Sequence, residues 1–142
     1  MVSTWSDFDI ARLDVKKGAE YWFDIAEYDL ETARVMFQGK RFLYVGFMCH
    51  QVIEKAFKGC YAAKYDDNPP FTHNLRYIAQ KSGLFEKMNE SQKRFLELLG
   101  PLNIEARYPT YKEKILKSLT KERCIDILKK TEELFLWIKG RF

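Results

Sequence analysis

The chain has 142 residues, 46% of them hydrophobic and 15% aromatic, with a formal charge of +4. That is enough apolar material for one domain with a real core, and it excludes the polar, aromatic-poor profile of disorder. No apolar run approaches the roughly 20 residues that span a bilayer, and Met1 to Ile10 lacks the basic-then-apolar order of a signal peptide, so a cytoplasmic location is expected.

Pro69, Pro70, Pro101 and Pro109 punctuate a pattern that is otherwise helical. Trp22, Ala26, Leu30, Ala33 and Phe37 recur at helical spacing and predict a first helix from about Lys17 to Phe37, with Gly39 as its left-handed cap. A second helix is expected from about Arg41 to Lys64. Phe42, Val45, Cys49, Val52, Ile53, Ala56, Phe57 and Cys60 form its main stripe, with Leu43, Phe47 and Tyr61 beside it. A helix apolar over so much of its girth is either central in a bundle or buries a second face against another subunit.

Asp66 to Phe71 reads as a turn, after which Thr72 is suited to cap a short helix from about His73 to Lys81. A fourth helix is expected over Glu90 to Leu99, broken at Gly100-Pro101, and Asn103 to Tyr111 reads as an irregular connection around Pro109. The last helix, Lys121 to Lys139, is capped by Thr120 and ended by Gly140, with Cys124, Ile127, Leu128, Thr131, Leu134, Phe135 and Ile138 inward. From residue 112 onward there are nine basic and five acidic residues, whereas the first 111 balance at fifteen each. The excess reads first as a solvated helix face and second as attraction for phosphate-rich partners. No hairpin signal joins two alternating runs. The expected fold is all-α: an antiparallel, up-and-down bundle of four to five helices, formed by residues 21–142 behind an N-terminal extension, 1–20.

Within the second helix, His50, Glu54 and Lys58 follow one another at i, i+4 and i+8 along one edge, while Gln51 and Lys55 pair on the outer side. Charge in a core-facing helix is costly unless paired, exposed at a groove, or used. A carboxylate can fix the tautomer of the neighbouring His50 and raise its basicity; mutual hydrogen bonding at a buried border is an equal reading. His73 opens a short helix and suits an anion pocket or a capping role. Arg107 and Tyr108 sit in a connection, where a guanidinium fork suits phosphate or carboxylate, or a salt bridge that anchors the loop. Cys49, Cys60 and Cys124 show no CxxC spacing and read as buried reduced thiols. With two histidines and no clustered thiols, no metal and no cofactor is expected. There is no phosphate-binding Gly-rich loop, GxSxG, HExxH or nucleotidyltransferase aspartate pair.

Four separated blocks carry a resemblance. Ala26, Asp29-Leu30, Ala33 and Gly39 fit one; Tyr44, Phe47, His50-Gln51 and Glu54-Lys55-Ala56-Phe57-Lys58 a second; Thr72-His73-Asn74-Leu75 a third; and Ala106-Arg107-Tyr108-Pro109 with the final helix a fourth. In this order they resemble the HEPN family, named for nucleotide binding in higher eukaryotes and prokaryotes, in its stand-alone prokaryotic form. The resemblance implies an all-helical bundle, a homodimer or higher homo-oligomer, and a nucleotidyltransferase partner. It also implies one of two activities: nucleotide binding as an accessory domain, or metal-independent, toxin-like RNA cleavage by Arg-x(four to six)-His. This chain has no Arg followed by His at that spacing; Arg41 precedes His50 by nine residues. Any catalysis would therefore fall to a non-standard pair, His50 and Arg107. Three functions follow: a nucleotide- or phosphate-binding accessory module using His50, Gln51, Glu54, Lys55, Lys58, His73, Arg107 and Tyr108; a ribonuclease with a rearranged His/Arg pair; or an oligomeric scaffold without a ligand.

Overall fold

The computed structural model describes residues 15–104 and 109–142, with side chains from Gly18 onward. Among these residues six helices follow in order: α1 (Val15–Gln38), α2 (Phe42–Tyr65), α3 (Leu75–Lys81), α4 (Glu90–Leu99), α5 (Pro109–Ser118) and α6 (Lys121–Lys139). Single 3₁₀ turns occur at Phe85–Lys87 and Gly100–Leu102, and there is no strand among the described residues. None of the described helices is long and apolar enough to cross a membrane.

The core is built around α2. On α1, Phe23, Ala26, Leu30 and Ala33 are buried at one-face spacing and meet Val45, Cys49, Val52, Ile53, Ala56 and Phe57 of α2. From the other side α6 contributes Cys124, Ile127, Leu134, Phe135 and Ile138. Small residues let α1 and α2 approach closely: a Cβ on Gly59 would lie 2.8 Å from the Phe23 ring. Burial on α2 reaches beyond the apolar stripe to His50, Gln51, Glu54 and Lys58. The wide apolar girth is thus explained by a central position, with Leu43 and Phe47 half-buried within the same chain.

Four local expectations are corrected. After α1 the left-handed residue is Lys40 (φ 59°), not Gly39. The main-chain N–H of Arg41 bonds back to the Met36 carbonyl across this turn. α3 begins at Leu75, and Asn74 rather than Thr72 caps it, its Oδ1 accepting from Tyr77 N at 3.0 Å. Thr72 instead accepts from Asn74 N at 3.1 Å. Finally, a sixth helix, α5, starts at Pro109. A proline at the first helical position loses no hydrogen bond, because that N–H has no intrahelical partner.

Candidate functional site

Glu54 is the centre of the polar cluster on α2. Its carboxylate is 4% exposed. Oε2 accepts from Lys58 Nζ at 3.1 Å, one helical turn on, and Oε1 accepts from His73 Nδ1 at 2.9 Å. A buried carboxylate needs such donors to offset its lost hydration. The Lys58 ammonium also lies 5.7 Å from the centroid of the Trp22 ring, which closes that side with an aromatic face.

His50 behaves differently from the expectation. Its ring is fully buried, and Nδ1 stands 3.8 Å from Glu54 Oε1, beyond hydrogen-bond distance. Neither ring nitrogen has a hydrogen-bond partner among the described residues. Burial holds its pKa down at about 4, against the opposing pull of the Glu54 carboxylate. The imidazole is thus neutral and less basic than usual, and the residue that Glu54 orients is His73.

His73 is the accessible member of the group, with half its side chain exposed. Glu54 Oε1 accepts through Nδ1, which leaves the Nε2 edge of the ring as the one not engaged by this carboxylate. His73 stands at the rim of a cleft of about 440 Å³ whose walls come from α3, the 85–87 turn, α4 and the 100–102 turn. Its polar lining includes Asn74, Arg76, Lys93, Glu97 and Asn103, set against Leu75, Leu96 and Phe85. The volume lies within the range of small-molecule sites. The short helix α3 adds no anion-binding end, because Asn74 and Thr72 already take donors there.

The structure therefore brings together His50, Glu54, Lys58 and His73. It separates Lys55, which forms a short ion pair with Asp29 of α1. Gln51 is buried, and its Nε2 has no partner among the described residues. Arg107 and Tyr108 lie outside the described residues. Sequence reasoning missed Arg76, Phe85, Lys93, Glu97 and Asn103, which are single residues scattered over three elements and their connections. The one signal available was Arg76, three residues beyond His73. Among the described residues no group of three or more His, Cys, Asp and Glu could hold a metal ion.

The family model described as "HEPN domain" matches residues 19–141. Among solved structures, TT1696 from Thermus thermophilus is similar, with a TM-score of 0.75 and 16% identity over 87% of this chain and 98% of that one. At that identity the likeness is one of fold. No curated protein matches the chain.

Proposed function

The chain belongs to the HEPN domain family, and we propose that it binds a nucleotide or another phosphate-bearing ligand in the cleft beside His73. Membership supports a helical domain of nucleotide-binding or ribonuclease type. The observation that carries the choice is the bond from His73 Nδ1 to the buried Glu54 carboxylate, which orients a half-exposed imidazole at the rim of a cleft that also holds Arg76 and Lys93. Arg107 and Tyr108 belong to this reading as sequence-derived contacts, as do self-association and service to a nucleotidyltransferase partner. Lys55 and Lys58 enter it through their ion pairs, as supports of α2.

Titration calorimetry with ATP, GTP and their mono- and diphosphates tests it. Saturable heat that His73→Ala diminishes is expected; no heat with any of them at millimolar ligand overturns it.

A second reading is metal-independent RNA cleavage. It rests on the same imidazole, since a carboxylate-oriented histidine beside cations is a general base placed near phosphate charge. It requires RNA to be cut in the presence of a chelator, with the activity lost in His73→Ala. Intact RNA after prolonged incubation removes it.

A further inference from the structure

The cleft has a second polar wall that the Glu54 group does not reach. There the Phe85 ring carries two cations, with Arg76 Cζ 5.2 Å and Lys93 Nζ 4.7 Å from its centroid. Two charges on one ring stand no more than about 10 Å apart. We propose that Arg76 and Lys93, placed by Phe85, are a phosphate clamp that holds the phosphate end of a nucleoside phosphate in this cleft. The proposal rests on the reading of the cleft given above and names which of its residues take the charge.

Three observations support it. First, among the described residues no buried carboxylate occupies these cations. Among the described residues Arg76 forms no ion pair, and Lys93 reaches only Glu90, at 3.8 Å, whose side chain is 78% exposed. A pair so open to water is worth little. Second, an aromatic face holds a cation through its quadrupole without consuming its charge, so the ring fixes position and leaves N–H donors for an oxyanion. Arg76 offers a planar fork for two phosphate oxygens and Lys93 a compact third donor. Third, both side chains line the 440 Å³ cleft, and Glu97 is the one carboxylate on its wall among the described residues.

The test is calorimetric binding of ADP, adenosine and inorganic pyrophosphate to the full chain and to Arg76→Gln, Lys93→Gln, the double variant and Phe85→Leu. Lys87→Gln, an exposed lysine outside this cleft, is the control for general charge. Each single substitution is expected to weaken ADP about tenfold, the double about a hundredfold, with Lys87→Gln unchanged. Adenosine affinity should not move. Phe85→Leu should weaken ADP while both cations remain, a loss that charge alone does not explain. ADP bound by the double variant as tightly as by the unaltered chain would overturn the clamp and leave the functional reading standing. If no nucleotide binds, the nucleotide form of that reading falls and pyrophosphate decides whether the clamp takes a phosphate at all. Binding that the double variant loses supports it, and no pyrophosphate binding overturns it.

Discussion

Glu54 Oε1 lies 2.9 Å from His73 Nδ1, a contact between a buried turn of α2 and the chain entering α3, nineteen residues later. It does two things at once: it ties the entry of α3 to the centre of the bundle, and it sets the tautomer of the imidazole that faces the cleft. The same carboxylate also balances the ammonium of Lys58.

Removing that carboxylate is therefore expected to be costly. Glu54→Ala leaves Lys58, 9% exposed, as an unpaired buried charge, and stability should fall by about 3–5 kcal/mol. Replacing both, as Glu54→Leu with Lys58→Met, should recover much of the loss, because a packed apolar pair has no desolvation to offset. Urea unfolding monitored by helical circular dichroism measures both. A single variant as stable as the parent would contradict the pairing.

His50 should leave a pH signature. Its folded pKa is lowered to about 4 from 6.5, so between those values the unfolded chain binds more protons. Stability is then full above about pH 6.5, declines as pH falls, and levels off below about pH 4, with on the order of 3 kcal/mol at stake. In His50→Gln this component of the slope should vanish. Equal slopes for the two proteins over that window would show that His50 titrates normally.

How much of this was legible beforehand depends on range. α6 has the expected bounds, Lys121–Lys139, because Thr120 caps it, accepting from Arg123 N at 3.2 Å, and Gly140 ends it. The central place of α2 followed from an apolar surface too wide for one partner. α5 was missed because Pro109 breaks a helix in its interior but opens one at its first position. The site was half legible. His50, Glu54 and Lys58 share an edge by spacing alone, yet spacing could not show that Glu54 turns to His73 and away from His50, or that Arg76, Phe85 and Lys93 meet across a cleft. Those juxtapositions come from packing between elements, which carries no local pattern.

The close approach of α1 and α2 gives a third expectation. A methyl on Gly59 would lie 2.8 Å from Cε2 of Phe23, whose ring is 4% exposed and has little room to retreat. Gly59→Ala should cost about 1–3 kcal/mol despite the better helix propensity of alanine. Gly18, with nothing within 4 Å of an added methyl, is the contrast: Gly18→Ala should be neutral or gain up to about 1 kcal/mol. Thermal unfolding of the two variants side by side reads the difference, and Phe23→Leu in the Gly59→Ala background should restore part of the loss. Equal stability of the two alanine variants would mean that the helices can separate at no cost.

The two fully buried thiols, Cys49 and Cys124, provide a probe of global opening. Burial raises the pKa of Cys49 and Cys60 to about 12 and that of Cys124 to about 11, and the thiolate is the reactive form. Cys49 and Cys124 are fully buried between α2 and its neighbours, whereas Cys60 is 7% exposed and lines a surface cleft with Ser82, Leu84, Arg141 and Phe142. In the native protein at pH 8, a disulfide reagent should therefore modify Cys49 and Cys124 slowly and together, at a rate set by unfolding of the bundle, with Cys60 reacting ahead of them. Glu54→Ala should accelerate that rate in proportion to its lost stability when reclosing outpaces the reagent. Arg76→Gln, which alters only the cleft wall, should leave it unchanged. Rapid modification of Cys49 or Cys124 ahead of the other would show that part of the bundle opens independently.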